Sequence, residues 1–375
     1  MRSLTMGIAG AGLLGRLLAW RLSGLGHEVT VFDPAPGPNA TGAAGWTAAG
    51  MLSPCAELEC ANMAVAALGW RSLDLWPQWL ALLPEPVAFA RRGSLLLAHR
   101  SDRGCAQRTL AVLQRKLAEV ASLSPHQKAV PCPYAAPQAL PLNELQTLEP
   151  AIHGPSHAWL LPGEGQIHTV QAMHALAAGA SAQGCQWRWG YTVFDMAPGQ
   201  IDGHHFDWVF DVRGVGARSA GQKNAQNPGL DVRGVRGEIV WLHAPGLVLN
   251  RPLRLMHPRW RVYLVPRPGD IVVVGATEIE SEDRSPVSVR SLLGLLSAAH
   301  SVLPELAEAR VVHMETNLRP ALPDNLPGLR VEAGLTQING LFRHGWLVAP
   351  ALVEDALAHP QFKQTTQTST EEISI

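Results

Sequence analysis

Apolar and polar positions along the chain change period repeatedly, and the changes mark out a series of elements. Thr5–Ala9 is a short apolar run of the kind a strand covered on both faces requires. It ends in Gly10-Ala11-Gly12-Leu13-Leu14-Gly15, after which Leu14, Leu17, Leu18 and Leu22 recur at helical spacing until Gly24 and Gly26 stop them. A second strand over 28–32 closes on Asp33. Residues 62–82 and 105–120 read as amphipathic helices, the first rich in Trp, and 121–142 as a loop rich in Pro and Ser. Thr169 is placed to cap a helix over 170–182 that Gly184 stops. Strand patterns follow near 186–193 and 205–212, the second running into Gly214 and Gly216, and then at 237–242, 261–265 and 271–275. Pro266-Arg267-Pro268-Gly269-Asp270 reads as the hairpin turn between the last two. Ser285-Pro286 opens a helix to about Leu303, with proline at its favoured first position, and another helix runs from Trp346 to about Ala358. The polar end, 364–375, is expected to be disordered.

Composition narrows the function classes. The chain has 375 residues, 47 % hydrophobic and 16 % charged, which gives two domains and excludes a largely disordered chain. With 31 acidic against 30 basic side chains there is no electrostatic footprint for nucleic acid. No uncharged apolar run reaches the length of a membrane span. The five cysteines form no CxxC and include an odd one, so reduced thiols in the cytoplasm are expected rather than a disulfide framework. The opening residues also have the outline of a secretion signal, but they carry a sharper pattern.

That pattern is the GxGxxG at 10–15. It lies between strand and helix in a βαβ-sized unit, with Asp33 placed 18 residues after the last glycine. Gly10 makes the tight turn, Gly12 lets backbone approach a pyrophosphate, and Gly15 lets the helix pack on the strand. Unpaired N–H groups at the helix start, around Ala11, Leu13 and Leu14, and the positive dipole end would meet the phosphates. Asp33, with Pro34 beside it, would accept hydrogen bonds from a ribose. The small residues that follow, including Ala44, Gly45, Thr47, Ala48, Ala49, Gly50 and Met51, allow the close approach an isoalloxazine ring and ribityl chain require. This favours FAD over NAD. The remaining histidines have no regular metal spacing, so no metal is expected.

Six ordered blocks resemble the D-amino-acid oxidase family of flavoproteins, most of all its glycine oxidase branch of thiamine biosynthesis. They are GAGLLG at 10–15, AAGML at 48–52, YLVPR at 263–267, GATE at 275–278, LRPALPD at 318–324 and NGLFRHGWLVAPA at 339–351. The likeness runs to about residue 357. It implies an α/β (α+β) fold like that of D-amino-acid oxidase and glutathione reductase. A Rossmann-like FAD-binding domain would be assembled from 1–85, 150–215 and 330–375. A mixed-sheet substrate domain would come from 86–149 and 216–329.

The same resemblance implies oxidative deamination of glycine, sarcosine or a small D-amino acid. A neutral amine delivers its α-hydrogen as hydride to the flavin, the imine hydrolyses to the oxo acid, and oxygen is reduced to peroxide. Arg319 matches the arginine that forks onto the substrate carboxylate and Tyr263 the tyrosine that joins it; bidentate geometry is what a guanidinium supplies. Arg343 is expected at flavin or substrate, and Glu278 at the substrate amine or narrowing the pocket. Leu341, Phe342, Arg343, His344, Gly345, Trp346 and Leu347 would wrap the flavin, with a helix dipole aimed at its pyrimidine end. His344 replaces the family's common Asn and is read as a backbone-contact position. Val193 matches a backbone contact to adenine, and Arg213 departs from a small apolar residue, which leaves the surroundings of Gly214 open. No cysteine occurs after 185 and no histidine between 27 and 99, so the FAD is expected to be non-covalent. Other readings stay open: a dehydrogenase with a different electron acceptor, a flavin-binding partner protein without turnover, and a homo-oligomer.

Overall fold

The computed structural model describes residues 3–122, 136–218, 230–256 and 261–367, and two sheets organise them. The first has six strands in the order Gly328–Glu332, Leu335–Asn339, Trp208–Asp211, Thr5–Ala9, Glu28–Asp33 and Gln186–Trp189. All pair in parallel except the edge strand Gly328–Glu332. Helices Leu13–Gly24, Thr169–Ala182 and Gly345–Ala358 pack with it around a core that includes Met6, Ile8, Leu17 and Leu18. Thr5–Ala9 is covered on both faces, which is why its sequence is apolar almost throughout.

The second sheet has eight strands, ordered Arg310–Ala321, Arg233–His243, Ile271–Gly275, Arg261–Arg267, Leu253–Met256, Ser94–Ala98, His157–Leu161 and Gln138–Leu140. Its pairings are antiparallel except between Leu253–Met256 and Ser94–Ala98. Helix Val289–His300 covers one face through Leu295, Ala298 and Ala299. The other face, with Ile239, Val265 and Val273, meets Ala49 and Met51 from the glycine-rich stretch. The fold class is the mixed α/β one expected. His157–Leu161 belongs to this larger sheet, although it lies in the stretch 150–215 expected in the nucleotide-binding part.

Several expected boundaries move, each for a local reason. The helix at 170–182 starts at Thr169 and is capped by His168, whose Nδ1 accepts from the Gln171 N–H. Burial, helped by Arg267, pushes the His168 pKa down to about 4, so the ring stays neutral and can accept. Ser285-Pro286 does not start a helix. Arg236 donates to the Pro286 carbonyl, and Ser288 caps the helix from Val289 instead. The hairpin turn shrinks to 268–270 because Arg267 is still paired in the ladder, opposite Ile271. Strand 205–212 divides: His204–His205 joins a small sheet with Gln200–Ile201, and Trp208–Asp211 alone enters the parallel sheet. The strand near 186–193 stops at Trp189, before Gly190 at φ +73°. Part of the expected loop is ordered as Gln138–Leu140 and Leu142–Leu148, while 123–135 lie outside the described residues. The expected tail from 364 instead begins inside helix Pro360–Gln367, anchored where Phe362 packs against Trp208 and Phe210. Residues 368–375 lie outside the described ones.

The Trp-rich helix Met63–Leu80 buries its apolar side on helix Gly345–Ala358. Trp76 stacks on Trp346 at 5.5 Å and donates to its carbonyl. A Cβ on Gly69 would lie 2.8 Å from Leu347 Cγ. Gly69→Ala should therefore overpack this contact, costing about 1–3 kcal/mol and lowering Tm by roughly 2–8 °C. Thermal melting checks it, and an unchanged Tm would show that the two helices are not held this closely.

Candidate active site

The glycine turn explains itself sterically. Gly10 sits at φ +105°, and a Cβ there would lie 2.8 Å from the Val212 carbonyl oxygen. A Cβ on Gly15 would fall 1.8 Å from the Gly10 carbonyl oxygen. Gly12 is different: its Cβ would meet only Ala43 Cβ, at 3.6 Å, and the residue lines a cavity of about 820 Å³. The fold needs Gly10 and Gly15; what needs Gly12 has to come into the cavity.

That cavity is lined from the side of the six-stranded sheet by Asp33, Pro34, Val193 and Gly214 and from the side of the eight-stranded sheet by Tyr263, Glu278 and Arg319. Gly10–Leu14, Ala44, Gly45, Thr47, Ala48, Ala49, Gly50 and Met51 line it between, with Leu341, Phe342, Arg343, Gly345 and Trp346. Two long helices open onto it without a side-chain cap, Leu13–Gly24 behind Gly12 and Gly345–Ala358 behind His344. Each leaves orphan N–H groups and a positive dipole end, as a dinucleotide's phosphates and an electron-rich ring would need. Three residues expected at the cofactor lie behind the wall. Gly15 packs on the turn, Leu347 faces Gly69, and the buried His344 turns its Nδ1 to Glu57, at 3.2 Å.

The small-residue stretch is pinned from both sides. Trp346 Nε1 donates to the Gly45 carbonyl, and Thr47 bridges the Glu315 carboxylate and the Asn317 amide. Gly50, at φ +69°, fits against the Ile167 carbonyl. Arg267 donates to the Ile167 and Ala49 carbonyls beneath it, and burial pushes its pKa down to about 9, which leaves it cationic at neutral pH. The turn over 341–344 holds Phe342 in the left-handed region, at φ +48°, with its N–H donating to the Pro320 carbonyl. Strain of this kind is held by the contacts around it.

On the side of the six-stranded sheet, Asp33 accepts from the Ala11 and Ala35 N–H groups, tying the glycine turn to the second strand. A carboxylate has further lone pairs, so a ribose contact remains open to it. Arg213 settles into a fork on Asp211 and donates to the Val193 carbonyl. Arg16, a residue the sequence pattern did not single out, is buried and donates to the Ala11, Met173 and Pro38 carbonyls.

The other side carries the charges. Arg319 lies over Gly237, where a Cβ would come within 2.5 Å of the guanidinium, and Tyr263 lies over Gly275, where it would come within 2.7 Å of the ring. Burial raises the Tyr263 pKa, so its hydroxyl stays protonated near neutral pH; burial also lowers that of Arg319, with Tyr263 opposing. Arg343 bridges two acids, Glu57 at 2.9 Å and the half-exposed Glu278 at 3.4 Å. Glu57, also missed from sequence, further binds Arg254 at 2.8 Å. Its burial alone would raise its pKa, but Arg343, Arg254 and His344 outweigh that and hold it well below the usual carboxylate range. Among the described residues no cluster could hold a metal ion, and no helix is long and apolar enough to cross a membrane.

The chain matches the family profile "DAO: FAD dependent oxidoreductase" over residues 6–356. It is 37 % identical over 352 residues to a Rhizobium etli protein provisionally named as the thiamine biosynthesis oxidoreductase ThiO, covering 92 % of this chain and 93 % of that one. To the glycine oxidase of Geobacillus kaustophilus it is 28 % identical over 357 residues, covering 92 % of this chain and 89 % of that one. The crystal structure of glycine oxidase from that organism superposes with a TM-score of 0.78 over 95 % of both chains, at 24 % identity. That of iminodiacetate oxidase from Chelativorans sp. BNC1 gives 0.75 over 94 % of both, at 25 %.

Gly12 and Gly15 should therefore respond differently to substitution. Gly12→Val should give a folded protein that has lost its FAD, because its side chain projects where the pyrophosphate must approach. Gly15→Ala should lower thermal stability as well, since its Cβ collides with backbone. Flavin absorbance per protein and melting by circular dichroism separate the two; full flavin content in soluble Gly12→Val would refute this account of the turn.

Proposed function

This chain belongs to the DAO family of FAD-dependent oxidoreductases, and on that premise we propose that it oxidises a small amino acid such as glycine or an N-alkyl glycine. The products are the oxo acid and ammonia or an amine, and oxygen takes the two electrons to give peroxide. The observation that carries this reading is the pairing of Arg319 and Tyr263, laid over Gly237 and Gly275 on the sheet face that lines the cavity.

Bound FAD supplies a two-electron acceptor for the hydrogen on the substrate's α-carbon. The chain's own residues bind and orient. The Arg319 fork and the protonated Tyr263 hydroxyl take the substrate carboxylate, which fixes where the α-carbon lies. The glycines beneath them let both side chains lie flat, so the carboxylate docks close to the sheet. Glu57 is held ionised well below neutral pH, and Tyr263 is held protonated above it, so neither is tuned as a general base. Transfer of hydride from a neutral amine needs no such base. The buried Glu57 keeps Arg343 at the turn that opens helix Gly345–Ala358, whose dipole would favour negative charge on the reduced ring. The likeness to ThiO supports a place in thiamine biosynthesis.

FAD is held without a covalent bond in this reading, so acid precipitation should leave the yellow colour in the supernatant. Arg319→Ala tests the substrate assignment. Removing one partner of a buried charge pair costs about 2–5 kcal/mol, or roughly a 30- to several-thousand-fold fall in kcat/KM. Arg319→Lys should recover little, since an ammonium cannot make two parallel bonds. Stopped-flow flavin reduction with glycine and with methylamine, its decarboxylated counterpart, decides: equal losses for both, or none for either, would sink the assignment.

A further inference from the structure

Indole rings are unusually frequent in this chain, which has 12 Trp against 7 Phe and 3 Tyr. Four of them form one unbroken file. Trp346 lines the cavity at the start of helix Gly345–Ala358. Its ring stacks on Trp76, with centroids 5.5 Å apart and planes 27° from parallel. Trp76 meets Trp79 at 6.3 Å, and Trp79 meets Trp20 at 5.7 Å. Each spacing is that of rings in contact. The file is dry throughout: Trp76 is fully buried, and Trp346, Trp79 and Trp20 are at most 5 % exposed. It ends beneath Arg21, whose guanidinium lies 5.3 Å from the Trp79 ring and 5.9 Å from that of Trp20. Arg21 in turn binds Glu354 at 2.8 Å, and both side chains reach the surface.

Packing alone does not call for indoles here. Trp20 Nε1 is buried with no hydrogen-bond partner among the described residues, a cost that Phe or Leu would avoid. What indole adds is that it gives up an electron far more readily than a phenyl ring or an aliphatic chain. Electron transfer falls off exponentially with separation, so rings in contact exchange an electron quickly. Trp346 Nε1 donates to the Gly45 carbonyl and Trp76 Nε1 to the Trp346 carbonyl. Neither these two N–H groups nor that of Trp20 faces a base, so an oxidised ring keeps its proton and the transfer can reverse.

We infer that Trp346, Trp76, Trp79 and Trp20 form an electron relay between the FAD cavity and the surface. Driven by light, one electron passes from Trp346 to the excited flavin, and the vacancy is refilled in turn from Trp76, Trp79 and Trp20. No bond forms or breaks. The flavin gains the electron, the outermost indole loses it, and back-transfer restores both. The relay rests on FAD in the cavity and not on which amine is oxidised.

The test excites the FAD-loaded enzyme with a blue pulse, without substrate or oxygen, and follows transient absorption. Bleaching of the flavin should coincide with the absorbance of an indole radical cation. Trp346→Phe should abolish that signal and lengthen the flavin fluorescence lifetime. Trp76→Phe should remove its long-lived part, because the vacancy can no longer leave Trp346. Trp79→Phe, farther from the cavity, should shorten the signal and keeps the test readable if Trp76→Phe fails to fold. Charge separates a relay from packing. A cation beside the outer rings opposes their oxidation, so Arg21→Gln should lengthen the charge-separated state by roughly tenfold and Glu354→Gln should shorten it. A tyrosyl signal, or an indole signal that survives Trp346→Phe, would put the donor at Tyr263 or Trp46 and overturn the relay. So would a decay that Trp79→Phe leaves unchanged.

Discussion

One buried carboxylate holds the two halves of the site in register. Glu57 lies at the end of the short helix Pro54–Glu57, just beyond the small-residue stretch that lines the cavity. It binds Arg254 from the eight-stranded sheet, and Arg343 and His344 from the turn before the C-terminal helix. Taking a carboxylate out of water is costly, and only good geometry with several partners offsets the cost. Here the partners come from both sides of the cavity, so the penalty is recovered only when the sheet, the turn and the short helix are all in place. The cluster adds little net stability by this logic. What it adds is a fixed relation between the eight-stranded sheet and the helix start that opens onto the cavity.

Glycine plays the complementary part on the sheet. Arg319 and Tyr263 are large side chains on a surface where neighbouring strands would normally present large side chains too. Gly237 and Gly275 remove them, so the guanidinium and the ring lie down on backbone. Arg319 accordingly reaches back over Gly237 and donates weakly to the Arg236 carbonyl, at 3.3 Å. The groove is shaped by what the sequence leaves out.

This explains which parts were legible beforehand. The glycine turn, Asp33 and the first strands could be read because a backbone constraint leaves a spacing in the sequence, and Gly10 and Gly15 each meet such a constraint. Arg319 and Tyr263 could be read only through their neighbours in the family blocks. Glu57, Arg254, Arg267 and Arg16 could not be read, because a buried charge looks like a surface charge until its partners are known. Arg254 and Glu57 are 197 residues apart in the chain. Helix starts failed similarly: Ser285-Pro286 is a sound local signal, but Arg236, from a distant strand, claims the Pro286 carbonyl, and Ser288 caps instead. Local signals fix elements, and tertiary hydrogen bonds decide where they begin.

The two sides of the cavity meet negative charge by different means, and the difference is chemical. Near the glycine turn Arg16 donates to three backbone carbonyls, and burial pushes its pKa down to about 10. A pyrophosphate there is left to the orphan N–H groups of the helix start, which are fixed in direction and cannot follow a ligand out. Such a site suits a cofactor that stays. On the other side the donors are guanidinium groups on side chains, two of them, Arg261 and Arg284, exposed at the surface. Side-chain cations raise the local concentration of an anionic substrate from a distance and release it once its charge or geometry changes. Under the proposed function, a resident dinucleotide and a substrate that must come and go would be held in one cavity by interactions matched to how long each remains.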